Sequence, residues 1–167
     1  RLTLKAETGK NDDVGFWCMV NAMTPEYATI FDFRMLEGNV ESINNPGTVL
    51  IPMSYAQKIF GNDQAVGKIL KDNNLSFTVG GVYKDFPANS VIQNAVYWRI
   101  NGKVDQDNWN ANGYQLYVLL DNPDKKDEII ANFKEHLNRQ EYDWKTRDVR
   151  LTRLTDIYYE ADSQFDS

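Results

Sequence analysis

The sequence has little of the chemistry from which common active sites are built. It holds one cysteine, Cys18, and one histidine, His136, among 167 residues. A lone Cys excludes an internal disulfide and any Cys-based zinc finger. A lone His leaves most metal and triad arrangements without the residues they need. No apolar run approaches the ~18 to 20 residues of a membrane-spanning helix.

Basic residues are the minority among the charged ones. Lys plus Arg number 18 and Asp plus Glu number 24, which gives a net charge of −6 and a pI of about 4.8. Affinity for nucleic acid rests on clustered Lys and Arg side chains, so no nucleic-acid partner is predicted. The same negative charge disfavours docking on anionic lipid.

The residues that are present are typical of a folded domain. Apolar residues make up 42%, aromatic residues 13% and charged residues 25%, a composition that excludes a disordered chain. The length fits one domain, with room for two lobes. Residues 1–5 alternate like the interior of a strand and carry neither an initiator Met nor a signal peptide. The chain is therefore expected to be a piece of a larger protein.

Apolar runs in the first 100 residues predict several β-strands. Strands are predicted at residues 2–4, 14–23, 48–52, 76–84 and 95–100, with a hairpin turn at 72–74. A first short helix is predicted after Thr24 as N-cap, with Pro25 at its first position. A second helix is predicted to start at Ser54 as its cap and to end at Phe60, where Gly61 takes the left-handed position.

The last third of the sequence predicts a β-α-β unit. Residues 114–120 carry apolar side chains on both faces, which is typical of a central strand, and residues 149–154 predict a last strand. Between them, a helix over residues 124–138 carries a stripe of Ile129, Phe133 and Leu137. Two strands joined by such a helix are expected to lie parallel, with a right-handed crossover.

Few residues invite a catalytic or metal-binding interpretation. His136 lies near the end of that helix, where the dipole stabilises a protonated imidazole, and this structural role is favoured over a metal or acid–base role. Residues 105–107 begin like a calcium loop but lack its later Gly and Glu, so a solvated loop is favoured. Gly61, Gly67 and Lys68 are spaced one residue too far apart for a phosphate loop, and no Ser or Thr follows.

Four tryptophans are the remaining candidates for ligand contacts. Trp17 and Trp98 fall in predicted strands, where core positions are favoured. Trp109 and Trp144 lie in polar surroundings and are the candidate exposed contacts for a glycan or another small ligand. No catalytic, cofactor-binding or metal-ligating residue is predicted.

An ordered set of motifs carries a family resemblance. It comprises MTPEY at 23–27, FDFRMLEG at 31–38, VLIPMSYAQKIFG at 49–61, QAVGK at 64–68 and FTVGGVYKDFPANS at 77–90. Trp109, the apolar run at 114–120 and LTRLTDIY at 151–158 extend it. The set resembles the extracytoplasmic core domain of MacB/FtsX-type ABC transporter permeases, especially Bacteroidetes-like copies.

The resemblance marks a set of residues that are expected to end helices, allow turns and shape bends. They are Pro25, Phe60, Gly61, Gly67, Gly81, Val82, Asp85, Pro87, Asn89 and Ser90. None of these is expected to act as a nucleophile, a base or a ligand. This agrees with the family, whose extracytoplasmic domain performs no reaction.

The resemblance also implies the fold. It is α+β, a MacB-like periplasmic core domain with a β-α-β lobe and a mixed, mostly-β inserted lobe. Residues 1–113 are expected to form the inserted lobe and residues 114–160 the β-α-β lobe, within a single periplasmic domain over 1–167. The family's first β-α-β unit is expected to be missing or shortened before Arg1.

The function implied by the resemblance is non-enzymatic. One transmembrane helix is expected before Arg1 and three after Ser167, and ATP is expected on a separate cytoplasmic subunit or domain, with no cofactor in this one. The implied partners are those helices, the ATPase, a second permease subunit, and a periplasmic adaptor or substrate protein. The parent protein is expected in the bacterial inner membrane, with this soluble fragment on its periplasmic face.

Two other functions remain as alternatives at the level of the sequence. One is a free-standing small-ligand or glycan-binding module that uses Trp109 and Trp144. The other is a hydrolase, which needs two carboxylates facing each other in a cleft about 5–10 Å apart. Transmission of motion across the membrane is favoured over both.

Overall fold

Eight strands form one mixed sheet in the first of two structural units, Arg1–Gln106 and Asp107–Ser167. The computed structural model describes residues 2–6, 15–72, 75–100, 115–138 and 149–157. The strands are β1 (Leu2–Ala6), β2 (Phe16–Cys18), β3 (Val20–Met23), β4 (Met35–Gly38), β5 (Thr48–Pro52), β6 (Ile69–Asp72), β7 (Leu75–Tyr83) and β8 (Val96–Arg99). The helices of this unit are α1 (Pro25–Ile30) and α2 (Met53–Phe60), with a 3₁₀ turn at Val40–Asn44.

The sheet curls back on itself. Its strand order is β2-β1-β6-β7-β5-β8-β3. β2 and β3 stand at opposite ends of this order, yet Met19 alone separates them in the chain. Because neighbouring Cα atoms are about 3.8 Å apart, the two ends of the sheet must lie close together. Such closure reduces the length of unpaired strand edge.

Strand β7 holds the sheet together. Its first half pairs antiparallel with β6, its second half pairs antiparallel with β4, and β5 runs parallel along it. The β5 register advances from Val49 opposite Val79 to Leu50 opposite Gly81, so Gly80 is the extra residue of a β-bulge. A Cβ on Gly80 would lie 2.3 Å from Thr48 Cγ2 and would also clash with Ser42. Glycine is therefore required at the bulge.

Two clusters of buried side chains occupy opposite faces of the sheet. Val49 and Ile51 of β5 belong to the first cluster, whereas Leu50 between them belongs to the second, as the period of two in a strand requires. Helix α2 packs Ala56 and Phe60 into the first cluster. Helix α1 and the 3₁₀ turn cover the second cluster, in which Tyr83 lies among several aromatic rings.

Most predicted elements of the first unit are confirmed. The strands predicted at 2–4, 48–52, 76–84 and 95–100 correspond to β1, β5, β7 and β8, and both short helices are present. The single strand predicted over 14–23 is wrong, because the chain changes partners at Met19. Strand β2 pairs antiparallel with β1, whereas β3 pairs parallel with β8. A hydrophobic run indicates burial but does not identify the neighbouring strand.

The predicted N-cap is confirmed in position for α1 and wrong for α2. Thr24 stands at the N-cap position of α1, but its side chain does not bond the helix backbone. The pKa of Glu26 is lowered by a hydrogen bond from its own backbone N–H and by one from the Thr24 hydroxyl. Ser54 is not the cap of α2, because Pro52 takes that position and Ser54 lies inside the first turn.

The second unit contains one α-helix among its described residues. It is α3 (Lys126–Asn138), preceded by a 3₁₀ turn at Pro123–Lys125, which confirms the helix predicted at 124–138. The Asn122 side chain accepts a hydrogen bond from the Asp124 N–H at 2.9 Å and so begins this segment. Two acidic residues, Asp127 and Glu128, stand in the first turn of α3, where the helix dipole favours negative charge.

The prediction of two strands beside this helix is wrong for the part of the chain that the structure describes. Residues 115–120 and 149–153 are not strands, and Leu154–Asp156 is a 3₁₀ turn. Leu116 is 81% and Leu119 68% exposed, so this segment is not a central strand. Apolar content is a local property, whereas a strand needs a neighbouring backbone to pair with. The division into lobes at residue 113 stays a prediction.

Candidate functional site

The segment after β7 carries the most concentrated set of side chain–backbone hydrogen bonds among the described residues. The Asp85 carboxylate accepts a hydrogen bond from the Ser54 backbone N–H at 2.9 Å and another from the Ser54 hydroxyl. Ser54 lies in the first turn of α2, 31 residues earlier in the chain. Asp85 therefore supplies the capping acceptor that the local sequence of α2 does not, and its charge suits the positive end of the helix.

We expect Asp85→Ala to lower the free energy of unfolding by about 1 kcal/mol, the usual cost of a lost helix cap. Asp85→Asn retains one acceptor oxygen and should cost less. Urea unfolding of the 167-residue chain measures both changes. The matched control is Asp63→Ala, which breaks an exposed ion pair with Lys68 at 3.1 Å and should cost under about 1 kcal/mol. Equal losses for Asp85→Ala and Asp63→Ala would contradict the capping role.

We call a set of hydrogen bonds between one side chain and the backbone of a distant segment a tie; the Asp85–Ser54 bonds are the first. A second tie fixes the segment after β7 to the start of β8. The Asn94 side chain accepts from the Phe86 N–H at 2.8 Å and donates to the Phe86 carbonyl at 2.9 Å. Between these residues, the Ser90 N–H donates to the Pro87 carbonyl at 2.9 Å and closes a turn. The Ser90 hydroxyl then accepts from the Ile92 N–H at 3.1 Å. Pro87 and Ser90 thus lie in a loop whose backbone is held at both ends.

Tyr83 provides the third tie, and this one is buried. Its hydroxyl donates to the Ala95 carbonyl at 2.7 Å and accepts from the Ala95 N–H at 2.9 Å. Both residues are fully buried. Burial raises the pKa of the Tyr83 hydroxyl, so the group stays neutral and keeps its proton for the carbonyl.

A carboxylate also holds the loop that precedes β6. Glu37 accepts hydrogen bonds from the backbone N–H groups of Ala65 at 3.1 Å and Val66 at 3.5 Å. The next residue, Gly67, has a φ of 86° and donates its N–H to the Val79 carbonyl at 2.8 Å. Glu37 thereby anchors the loop that leads into β6.

The residues marked by the family resemblance are spread over these ties and not gathered in a cleft. Phe60 is buried at the end of α2, and Gly61 after it has a φ of 67°. Gly81 and Val82 are buried in β7 where β4 pairs with it. Asn89 lies exposed in the loop after β7. Trp109 and Trp144 lie outside the described residues.

Three tie residues were not singled out from the sequence. Glu37, Tyr83 and Asn94 each hold backbone that is distant in the chain. Glu37 and Tyr83 lie within the motifs at 31–38 and 77–90, whereas Asn94 lies outside the motif set. A side chain that bonds backbone 8 to 29 residues away leaves no periodic pattern, so only the fold shows it.

Side chains with reactive chemistry show no arrangement for catalysis among the described residues. Cys18 is buried, and burial raises the pKa of its thiol, which disfavours the nucleophilic thiolate. His136 is exposed on α3. Within the described ranges, no three His, Cys, Asp or Glu side chains come together as metal ligands would. The residues at 105–107, which begin like a calcium loop, lie outside those ranges.

One small pocket lies at the end of the sheet where β5 and β7 begin and β8 ends. Its volume is about 170 Å³, and it is lined by Asn45, Gly47, Thr48, Leu75, Ser76, Phe77, Trp98 and Arg99. Trp98 is half-buried and packs edge-on against Phe77, with 5.4 Å between ring centroids. The core position predicted for Trp17 is wrong. Cys18 beside it points into the first cluster, so alternation turns Trp17 outward, where it is 73% exposed.

Comparison with protein families identifies the domain. The model of the MacB-like periplasmic core domain matches residues 3–136. The chain belongs to the MacB-like periplasmic core domain family. This confirms the α+β fold, the family expected from the motifs and the periplasmic location of the domain. Such domains are generally not enzymes. Among the described residues, no helix is long and apolar enough to cross a membrane.

Three solved structures share the fold of this chain. A domain of a protein described as a permease, from Porphyromonas gingivalis, is 23% identical with a TM-score of 0.62 over 81% of this chain and 59% of that one. The periplasmic region of MacB from Actinobacillus actinomycetemcomitans is 13% identical with a TM-score of 0.59, covering 96% and 71%. The extracellular domain of YknZ, a noncanonic ABC-type transporter from Gram-positive bacteria, is 13% identical with a TM-score of 0.52, covering 84% and 73%.

Sequence identity and the share of each chain that is covered limit what these comparisons establish. The MacB-like chain spans 59% of the length of the Porphyromonas gingivalis domain, whose source agrees with the Bacteroidetes-like resemblance. At 13–23% identity, the three structures establish the fold alone. No curated protein matches the chain.

Proposed function

We propose that this chain is the non-enzymatic extracytoplasmic domain of an ABC transporter permease, which couples ATP hydrolysis in the cytoplasm to substrate export or partner-protein action in the periplasm. The observation that supports it is the family match over residues 3–136. ATP binds a separate cytoplasmic subunit or domain. The partners are the parent's own transmembrane helices, the ATPase, a second permease subunit, and a periplasmic adaptor or substrate protein.

The ties described above suit a domain that passes on a displacement. A body transmits motion only if its parts do not slide past one another, and packed sheets resist such sliding. Asp85 joins the β7 end to α2, Asn94 joins it to the start of β8, and Glu37 joins β4 to the loop before β6. Motif side chains in this unit therefore serve to connect elements.

The test uses the parent permease with its ATPase, reconstituted in lipid vesicles. Replacing residues 3–136 with a short flexible linker should leave membrane insertion and basal ATP hydrolysis in place and abolish export or partner action. The matched control replaces the exposed Asp63–Lys68 pair with alanines, which should preserve coupling. Undiminished export by the deletion variant, or a parent reading frame without membrane-spanning segments, would overturn the proposal.

A further inference from the structure

Three strands of the sheet leave one face outside both buried clusters. Leu4 of β1, Cys18 of β2 and Leu70 of β6 point into the first cluster, so the residues next to them in each strand point to the opposite face. The second cluster lies on that opposite face. Among the described residues, its buried strand members come from β3, β5, β7 and β8 and none from β1, β2 or β6. The aromatic cluster therefore does not cover the outer face of these three strands.

Three exposed side chains, Lys5, Trp17 and Lys71, stand together on this outer face, and we call them the lysine–tryptophan face. Lys5 of β1 lies directly opposite Lys71 of β6, and residues placed in this way have Cβ atoms about 4.5–5.5 Å apart. Thr3, two residues before Lys5, lies opposite Trp17 of β2. Trp17 and Lys5 are therefore diagonal neighbours, within reach of long side chains. Both lysines are exposed, and Trp17 is 73% exposed.

The stability of the sheet does not account for the lysine–tryptophan face. Like charges directly opposite each other on two strands are destabilising, and an indole left in water gains little of the free energy of burial. Two ammonium groups beside an exposed indole instead suit a partner that is both anionic and apolar.

An anionic bilayer surface is such a partner. Trp is enriched at membrane–water interfaces because its ring is apolar while its N–H needs a polar partner. A lysine lays its stem along apolar surface and keeps its ammonium among the polar groups, and each lysine near an anionic membrane strengthens binding about fivefold. The net charge of −6 opposes this docking only weakly, because physiological salt screens exposed charges more than about 8 Å from the contact.

We infer that the lysine–tryptophan face docks on an anionic phospholipid surface, with the Trp17 indole at the interface and Lys5 and Lys71 at the headgroup phosphates. The choice of a bilayer as the partner rests on the function proposed above, which puts this domain beside the membrane of its parent permease.

The test mixes the 167-residue chain with lipid vesicles and measures the bound fraction by sedimentation. One set of vesicles holds phosphatidylcholine alone, and the other holds equal parts of phosphatidylcholine and phosphatidylglycerol. We expect the chain to bind the anionic vesicles up to about 30-fold more strongly, which is the combined effect of two lysines. Added salt should weaken this preference, because it screens the charges.

A pair of double variants tests the lysines. Lys5→Gln/Lys71→Gln should lose the preference for anionic vesicles, whereas Lys84→Gln/Lys125→Gln, which removes two exposed lysines elsewhere, should keep it. Removing two opposed charges should leave the urea midpoint of unfolding unchanged or raise it, which excludes misfolding as the cause of the loss. If the first double variant fails to fold, either single variant should lose about fivefold in binding.

Quenching of tryptophan fluorescence tests the indole. Lipids that carry a spin label close to the headgroup should quench the emission of the vesicle-bound chain, and Trp17→Ser should lose this quenching and bind more weakly. The control is Leu116→Ser, which removes an apolar side chain that is 81% exposed in the second unit. This control should keep both the quenching and the binding.

Equal binding to the two kinds of vesicle would overturn the inference, as would equal losses in the two double-lysine variants or undiminished quenching in Trp17→Ser. Binding to polyglutamate without binding to vesicles would assign the face to an acidic protein segment and overturn the lipid assignment. Vesicle binding is measured without ATPase or export, whereas the deletion test above measures export. Failure of the docking inference and failure of the proposed function are therefore distinguishable.

Discussion

Tyr83→Phe should lower the free energy of unfolding by about 2–4 kcal/mol. The substitution keeps the ring in its aromatic cluster and removes only the hydroxyl that bonds both the N–H and the C=O of Ala95. Each buried polar group left without a partner costs about 1–3 kcal/mol. Urea unfolding of the 167-residue chain, followed by circular dichroism, measures the loss.

Tyr55→Phe is the matched control for this prediction. The Tyr55 hydroxyl accepts a hydrogen bond from the Met19 N–H at 3.5 Å, in a partly buried position, and a bond of that length is weak. The same chemical change should therefore cost less than about 1 kcal/mol at Tyr55. Similar losses at the two positions would show that Ala95 finds other partners when the Tyr83 hydroxyl is removed.

The alkaline pH profile gives a second measurement on Tyr83. Burial raises the pKa of this hydroxyl above its ordinary value of 10.0, so above pH 10 the unfolded tyrosine ionises while the folded one stays neutral. The stabilisation is complete below pH 10 and is lost as the pH rises further, with a slope of up to about 1.4 kcal/mol per pH unit. Tyr83→Phe should show a flatter decline in stability above pH 10.

Gly38→Ala should destabilise the chain by more than about 4 kcal/mol, a range reached only by severe defects. Gly38 pairs with Gly81 where β4 joins β7. A Cβ on Gly38 would lie 2.2 Å from the Gly80 carbonyl oxygen and 3.0 Å from the Gly81 Cα. These are backbone atoms and cannot move aside, so β4 should separate from β7. Hydrogen exchange of the Val82 and Tyr83 amides, with urea unfolding, measures the effect.

Gly61→Ala separates the steric effect from the conformational one. Gly38 and Gly61 have φ values of 66° and 67°, but a Cβ on Gly61 would meet nothing within 4 Å. The cost at Gly61 should be the backbone penalty alone, about 1–3 kcal/mol. If Gly38→Ala yields no folded protein and Gly61→Ala nevertheless folds, the positive φ is not the cause of the failure at Gly38. Equal costs at both positions would contradict the close approach of β4 to β7.

Elements whose signal is local were predicted correctly from the sequence. The alternation along 76–84 predicts β7, and the apolar stripe over 124–138 predicts α3. The motif set between 23 and 90 identified the family that the match over 3–136 confirms. The glycines and prolines of these motifs meet backbone requirements at particular positions, such as the positive φ of Gly38, Gly61 and Gly67.

Features that depend on distant partners were not predicted. The run at 14–23 contains two strands, because Met19 marks a change from β1 to β8 as neighbour. The run at 115–120 is apolar yet exposed. Ser54 bonds Asp85 in place of serving as the cap of α2. The lining of the small pocket combines residues from β5, β7 and β8, which no spacing in the chain indicates.

The ordered motifs carried the resemblance to the MacB-like family, whereas the scarcity of Cys and His and the acidic charge excluded common site chemistries and a nucleic-acid partner. Composition and backbone requirements are properties of single residues and short segments, and the chain displays them without folding. Tertiary structure alone decided that Tyr83, Asp85 and Glu37 hold the sheet, its helix and its loops together. Those roles arise from distances between groups far apart in the chain, and such distances exist only once the sheet has closed.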